Sequence, residues 1–337
     1  MTSRRHLLQW LAASPAAMTL PALAQTVRRP AAAVAPAEAW PTRPLKILVG
    51  FPGGSTPDLA ARAISEPLAK LLGQPVVVEN KPGASGNIAA DLVAKSTDNH
   101  TIGVLINGNL TVAKLLNPAT PFDPAKAFAP LSLIGVAPLV LVTVGTAPGQ
   151  TPNELLLWAR NLADKGNYGT PGPGTVGHLG MELIKSKTGI GAQHVPFPGN
   201  PQVVNALLGG QLQLALLPPG LAQPHLKTGK LKIIGITSPV RSSLAPELPT
   251  LRAADVFGAD LEIWTAAAAP ATMPRPIVAR LGNALVEAIR MAETRQRLLT
   301  VGWQAVGTSP EGLANRMKAD TALLGGIIQM RGITAAS

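Results

Sequence analysis

Apolar runs alternate with amphipathic stretches along the chain from Leu45 onward. The run Leu45–Val49 has the length and composition of a buried strand, and residues 59–72 follow it with apolar positions at helical spacing. Alternation of this kind predicts an α/β fold in which helices flank mostly parallel sheets. Pro67 is expected to kink or break the first helix, because proline lacks the N–H group that a helix interior needs.

The same periodicities predict the remaining elements. Strands are expected at 76–78, 101–106, 139–144, 212–216, 231–236 and 261–266. Helices are expected at 87–94, 153–162, 176–187, 203–208, 275–291 and 309–330. Segments 122–135 and 237–249 resemble loops, so we interpret them as crossings between two lobes. The first lobe then takes residues 45–137 and 239–337, and the second takes residues 138–238.

A loop of small residues at 50–58 joins the first strand to the first helix. The first amides of a helix have no carbonyl partner within it and carry the positive end of its dipole, so they attract anions. Ser55 and Thr56 add hydroxyl groups, and Asp58 is expected to cap the helix. Tight strand-to-helix turns also use glycine for steric reasons alone, so this loop by itself leaves anion binding and a structural role open.

A second loop, at 168–178, contains the spacing GxGxxG through Gly172, Gly174 and Gly177. A dinucleotide site would need an acidic residue about twenty positions further on, and none stands there. We interpret the loop instead as a second anion site, in which Thr170 and Thr175 grip a carboxylate from the opposite side of a cleft.

Two other loops follow predicted strands. Asn107 and Asn109 either donate hydrogen bonds to a ligand or form an ordinary Asn-Gly turn with Gly108. The proline-rich segment 195–201 either walls a pocket or caps a helix.

Motifs of enzyme chemistry are absent from the sequence. It lacks GxSxG, HExxH and the phosphate loop GxxxxGK[ST]. The histidines beyond the N-terminal segment are not paired with carboxylates at the spacing of a metal site or a catalytic triad, and each is expected to cap a helix or lie on the surface. His178 is kept as a candidate for ligand contact because it lies in the second loop.

Composition narrows the partners. The formal charge of +11 is spread along the chain without a dense basic block, and only 3% of residues are aromatic, which argues against nucleic-acid binding and favours small anionic solutes. The sequence has no cysteine, so disulfides and thiolate metal sites are excluded.

The first residues predict export. Arg4 and Arg5 precede an apolar run that ends in the small-residue site Ala22-Leu23-Ala24, the pattern of a signal peptide over residues 1–24. The paired arginines fit either twin-arginine export or an ordinary secretory signal. Residues 25–44 then form an Ala- and Pro-rich linker. A periplasmic location is expected.

Several segments together resemble the Bug family of periplasmic solute receptors, which belong with the tripartite tricarboxylate transporters. They are PTRP at 41–44, the loop at 50–58, GQPVVVENKPGA at 73–84, the loop at 168–179 and LLGGQ at 207–211. The similarity runs from about Trp40 to the C-terminus.

The resemblance implies a two-lobed Venus flytrap that closes on a small organic carboxylate. It implies no enzyme activity, no cofactor and no metal, and a monomer that presents its ligand to membrane components of a transporter or to a sensor. Mapped onto this sequence, the ligand-binding residues are Phe51, Gly54, Ser55, Thr56, Asn107, Asn109, Thr170, Pro171, Gly172 and Thr175.

The chain also departs from the family pattern. Gly53 and Pro57 replace a proline and a Thr or Ala in the first loop, and Pro198 stands where many members carry a base. Gln213 and Leu217 stand where acidic residues are usual, which disfavours an amino-acid ligand, since its ammonium group needs a carboxylate. Two other functions stay open: an exported hydrolase that uses Ser55 and a histidine, and a sensor that works without a transporter.

Overall fold

A computed structural model describes residues 40–334, so the predicted signal peptide and linker residues 25–39 lie outside the described residues. The strands are β1 Leu45–Val49, β2 Val76–Asn80, β3 Thr101–Ile106, β4 Phe128–Pro138, β5 Val140–Val144, β6 Asn167–Thr170, β7 Gln193–Pro196, β8 Leu214–Leu217, β9 Leu231–Ile236, β10 Glu262–Pro270 and β11 Gln304–Ala305. The helices are α1 Thr56–Leu72, α2 Asn87–Ala94, α3 Asn107–Thr111, α4 Ala113–Leu116, α5 Pro124–Ala127, α6 Pro152–Asn161, α7 Val176–Thr188, α8 Asn200–Leu208, α9 Pro219–Lys227, α10 Arg275–Arg290, α11 Ala292–Thr300 and α12 Pro310–Arg331. None of these helices is long and apolar enough to cross a membrane.

The strands form two sheets, one for each lobe. The first has the order β11-β4-β10-β3-β1-β2 and the second the order β7-β6-β8-β5-β9. The two-lobed α/β prediction is confirmed. Both sheets are mixed: β1 pairs in parallel with β2 and β3, and β6 with β7 and β8, whereas β4, β10 and β5 pair antiparallel.

Helices cover both faces of the first sheet. Ile47 and Val49 of β1 pack with α1 and α10 on one face, and Leu48 packs with α2 and α12 on the other. This follows from the alternation of side chains along a strand, and it explains why every residue of β1 except the exposed Lys46 is apolar. The loops at the ends of these strands are therefore carried on a rigid, doubly covered sheet.

The last helix packs against both lobes. Leu313 in its first half belongs to the core of the first lobe, and Ile327 and Ile328 in its second half belong to the core of the second. Gly325 and Gly326 lie in this second half, immediately before Ile327. α12 is thus a connection between the lobes in addition to the two chain crossings.

The interpretation of 122–135 as a loop was wrong. This segment forms α5 and most of β4, which lies between β10 and β11 in the first sheet. The register against β10 shifts at two points, so that Leu131 and Ile134 are passed over in the pairing. A bulge adds a residue to one strand, so the apolar alternation that identifies a strand is interrupted.

Smaller differences concern helix ends. α1 is a single helix that continues through Pro67. α8 begins at Asn200, three residues before the predicted start at residue 203. Ser55 is the residue before α1, so Asp58 lies inside the helix and is not its cap. The elements that were not predicted are β6, β7, β11, α3, α4, α9 and α11.

Candidate functional site

A cavity of about 50 Å³ lies between loops of the two sheets. It is lined from the first lobe by Phe51, Ser55, Thr56, Pro57, Ile106, Asn107, Ile263 and Trp303, and from the second by Pro171, Thr175, Val176, Gly177, Asn200 and Leu216, with Leu139 at the crossing. No charged side chain lines this cavity among residues 40–334.

Three helices begin at the cavity wall. Ser55 precedes α1 and Thr175 precedes α7, while Asn200 is the first residue of α8. The first amides of each helix lack carbonyl partners within it, and the three dipoles present their positive ends to one space. The arrangement suits an anion, and it supplies the positive potential without a lysine or arginine.

The hydroxyl group of Ser55 has no partner. Its side chain is 2% exposed and lines the cavity, yet Oγ forms no hydrogen bond with residues 40–334. A buried hydroxyl without a partner costs free energy, so this group is available to donate to a bound molecule.

The first loop is held in shape by the carboxylate of Asp58. Gly54 N–H donates to Oδ2 at 2.9 Å, Asn80 Nδ2 to Oδ1 at 2.8 Å, and Arg62 Nε to Oδ2 at 3.0 Å. Asn80 also donates to the carbonyl of Phe51. Burial by itself would raise the pKa of Asp58, but the hydrogen bonds from Arg62, Asn80 and Gly54 hold it below its usual value.

The second loop is held by uncharged groups. Thr175 Oγ1 donates to the carbonyl of Gly172 at 2.7 Å, and Gly172 N–H donates to Thr170 Oγ1 at 3.1 Å. Gly174 N–H donates to Nδ1 of His178 at 3.2 Å. His178 is 1% exposed and does not line the cavity, so neither a surface position nor ligand contact is observed for it.

The two lobes contact each other beside the cavity. Asn200 Nδ2 of the second lobe donates to Thr56 Oγ1 of the first at 3.2 Å. Gly108 approaches the second loop so closely that a Cβ on it would lie 2.6 Å from the carbonyl oxygen of Gly174. The lobes are therefore closed on each other in this structure.

The rest of the wall is mostly apolar. Trp303 is fully buried behind the first loop, and its Nε1 donates to the carbonyl of Thr56 at 3.0 Å. Leu139, Leu216 and Ile263 complete this side. The site therefore combines polar groups at the helix ends with an apolar body.

The structure brings six of the ten predicted ligand residues to the cavity: Phe51, Ser55, Thr56, Asn107, Pro171 and Thr175. The other four lie behind it. Gly54 and Thr170 make the internal bonds described above, and Gly172 lies in the second loop with φ +115°. Asn109 donates to Ser85 O and Asn87 Oδ1, which joins the α3 segment to α2.

Prediction from sequence missed several wall residues. Trp303 stands in an unremarkable turn far from either loop, and nothing in its local sequence marks it. Asn200 had a weak signal, since segment 195–201 was considered as a pocket wall. Among residues 40–334, no group of three His, Asp or Glu side chains could hold a metal ion.

Comparison of the chain with known proteins identifies its family. Residues 60–333 match the model described as "Tripartite tricarboxylate transporter family receptor". The chain belongs to this receptor family. The resemblance to its Bug members in the sequence is confirmed.

One relative and two solved structures illustrate the likeness. A protein of the tcbD-tcbE intergenic region of Pseudomonas sp. (strain P51) is 32% identical over 287 residues, which cover 84% of this chain and 85% of that protein. MatC from Rhodopseudomonas palustris with bound malate is 30% identical with a TM-score of 0.80, covering 86% of this chain and all of that one. A second R. palustris protein, solved with adipate, is 29% identical with a TM-score of 0.83, covering 88% and 99%. The receptor fold therefore extends over nearly all of the described residues.

Proposed function

We propose that this receptor captures a small organic carboxylate between its lobes and delivers it to the membrane components of a tripartite tricarboxylate-type transporter. The observation that carries the proposal is the cavity at which α1, α7 and α8 begin, with the unpartnered hydroxyl group of Ser55 in its wall. Helix N-termini and hydroxyl groups are the donors that a carboxylate needs where no basic side chain is present.

The apolar part of the cavity wall limits the class of ligand that fits. Leu139, Leu216, Ile263 and Trp303 contact whatever lies between the polar ends, so a carboxylate with an apolar body fits better than an amino acid. The structures of relatives with malate and with adipate support this class of ligand.

The residues proposed to bind the ligand are those of the ten predicted ones that line the cavity, together with Asn200. The other four are proposed to support them from behind.

The proposed lobes follow the two sheets. The chain crosses to the second lobe at about Leu139 and returns before β10; the packing of Leu251 and Leu261 with the second core favours a return close to Glu262. Ligand-dependent closure of these lobes would create the surface that a membrane partner recognises. We expect a monomer, exported to the periplasm by the N-terminal signal.

An exported hydrolase is the alternative that the geometry supports less. A serine nucleophile needs a base within hydrogen-bond reach, and Oγ of Ser55 has no hydrogen-bond partner within residues 40–334. We therefore propose a receptor without enzyme activity.

The test is calorimetric titration of the purified protein with malate, adipate and the uncharged diamide of adipate. Binding of either acid, with the diamide at least about tenfold weaker, supports the proposal, since a hydrogen bond to a charged group contributes about 1.5 kcal/mol or more. Ser55→Ala should weaken binding of the acid about tenfold, whereas the matched control Ser65→Ala on the same helix should not. Equal binding of acid and diamide would contradict the carboxylate assignment, and so would no binding of any acid in a wider panel.

A further inference from the structure

Two stacked histidines lie directly behind the second loop. The ring of His178, in α7, faces the ring of His194, in β7, with centroids 4.2 Å apart and planes 16° from parallel. Neither ring lines the ligand cavity. Tyr168 of β6 stacks on the other side of His194 at 5.1 Å. The family comparison and the proposed function assign these rings no role.

Each ring makes one hydrogen bond to the loop. Gly174 N–H donates to Nδ1 of His178 at 3.2 Å, and Thr170 Oγ1 lies 2.6 Å from Nε2 of His194. Thr170 in turn accepts from Gly172 N–H. The rings are thus joined to the loop at Gly174 directly and at Gly172 through Thr170.

The loop needs such support because its own backbone is permissive. Gly172 has φ +115° and Gly174 has φ +77°, a region that glycine enters without preference for one conformation. Two residues that line the cavity stand next to these glycines: Pro171 precedes Gly172, and Thr175 follows Gly174. Their positions relative to a ligand therefore depend on the side-chain hydrogen bonds that fix these glycines, those of His178 and Thr170 among them.

The surroundings keep His178 neutral, as its role as acceptor requires. The charged groups near the two rings are Glu182 and Lys185 of α7 and Arg331 of α12, and Glu182 pairs with both bases. Tyr168 donates to Glu182 at 2.8 Å. Burial and the neighbouring His194 lower the pKa of His178 to about 4, so the ring is neutral at neutral pH. The bond that Nδ1 accepts from Gly174 N–H assigns the remaining ring proton to Nε2.

We propose that His178 and His194 are positioning residues that set the backbone of the second loop for ligand binding. The expected effect of the two histidines on ligand affinity rests on the proposed function. Their expected effect on the backbone of the second loop does not depend on any ligand. Neither histidine contacts the ligand, and their influence passes through Gly174, Thr170 and Gly172.

Paired substitutions distinguish the loss of a hydrogen bond from a change in side-chain volume. His178→Leu removes the acceptor and keeps an apolar side chain, whereas His178→Asn places an oxygen where Nδ1 was. For His194 the corresponding pair is His194→Leu and His194→Gln, because the longer amide reaches the position of Nε2. His225→Leu, in α9 of the same lobe, is the control, since only the backbone carbonyl of His225 is in the observed bonds.

The first readout is hydrogen exchange of the amides of residues 172–175 in the ligand-free protein. We expect His178→Leu to speed exchange at Gly174 about fivefold, which corresponds to about 1 kcal/mol for one neutral hydrogen bond, and His178→Asn to bring the rate back to within about twofold of the wild type. Thr170→Val provides a second route to the same effect at Gly172 if a histidine variant does not fold.

The second readout is the dissociation constant for adipate or malate, whichever the wild type binds. A roughly tenfold weakening in the Leu variants, recovered in His178→Asn and His194→Gln, supports positioning. Unchanged exchange and unchanged affinity in folded Leu variants would overturn it. Failure of the wild type to bind any carboxylate would count against the proposed function alone, because the exchange experiment would still decide the role of the histidines.

Discussion

The two loops that face each other across the cavity are built in different ways. The first is fixed by an ionised carboxylate, Asp58, which collects bonds from a backbone amide, an amide side chain and Arg62. The second is fixed by threonine hydroxyl groups and by the rings of His178 and His194. Both present a helix N-terminus to the same space, so similar function is reached with a charged support on one side and an uncharged support on the other.

The difference has a physical consequence for acid. A carboxylate whose pKa is lowered stays ionised and keeps its bonds to a pH below its ordinary pKa of 3.8, whereas a buried histidine resists a proton that the unfolded chain accepts near pH 6.5. The second loop is therefore the more acid-sensitive of the two.

The largest expected effect is the loss of the charged support. Asp58→Ala leaves Gly54 N–H and Asn80 without their acceptor in a buried site, and we expect the free energy of unfolding to fall by about 3 kcal/mol. Urea unfolding measures it. Glu66→Ala, which removes an exposed carboxylate from the same helix, should lower the free energy of unfolding much less, because exposed ion pairs contribute little. Equal losses in the two variants would mean that Asp58 is no more than a surface charge.

The next effect concerns pH and the neutral support. The pKa of His178 is lowered from 6.5 to about 4, so the unfolded chain binds more protons than the folded one between these values, and stability falls as the pH drops through this range. From pH 7 to pH 5 the loss from this group is about 2 kcal/mol. Urea unfolding at pH 7, 6 and 5 should show a shallower decline for His178→Asn than for the wild type. Identical declines would contradict burial of a neutral ring.

A third prediction concerns the contact between Gly108 of the first lobe and Gly174 of the second loop. Gly108→Ala places a methyl group 2.6 Å from the carbonyl oxygen of Gly174, so the lobes would have to stay further apart. Overpacking of this size costs about 2 kcal/mol, and we expect ligand affinity to fall roughly thirtyfold. Stability should not fall, because alanine favours the helix.

Calorimetry and urea unfolding together check this result. The matched control is Gly53→Ala, since a Cβ on Gly53 would meet no atom within 4 Å. Undiminished affinity in Gly108→Ala would show that ligand binding does not require the loops to approach as closely as they do here.

The smallest effect is expected for the hydrogen bond between the lobes. Asn200→Ala removes the donor to Thr56 Oγ1 and should weaken ligand binding about fivefold, corresponding to about 1 kcal/mol. Asn205→Ala, on the exposed side of the same helix, is the control and should bind as the wild type does. Equal affinities for both variants would remove Asn200 from the closing contacts.

Local pattern was enough to locate both loops. The first follows a predicted strand and precedes a predicted helix, a junction that can be read from residues that are adjacent in sequence. The second was identified from its glycine spacing and the helix predicted after it, because β6 was not predicted. Pattern failed at β4, because the bulges at Leu131 and Ile134 interrupt its alternation. It also placed Asp58 as a cap, although the spacing of Gly54 and Asp58 instead allows the carboxylate to reach back to the loop.

Which loop residues face the cavity is set by tertiary contacts. Thr170 and Thr175 are alike in type and lie in one loop, yet Thr175 lines the cavity and Thr170 turns back toward His194. The direction depends on the positive φ angles of the glycines between them and on a histidine some twenty residues away. Spacing within the loop cannot distinguish the two.

The sequence by itself determined the α/β order of elements, the two small-residue loops at strand ends and the family, because these depend on short-range periodicity and on contiguous motifs. Only the tertiary structure decided how the cavity is closed and supported. Trp303 contacts Thr56 across 247 positions, and Asn200 meets the same residue from the other lobe. Contacts of this kind are set by the path of the whole chain through two sheets, and no local preference of the residues encodes them.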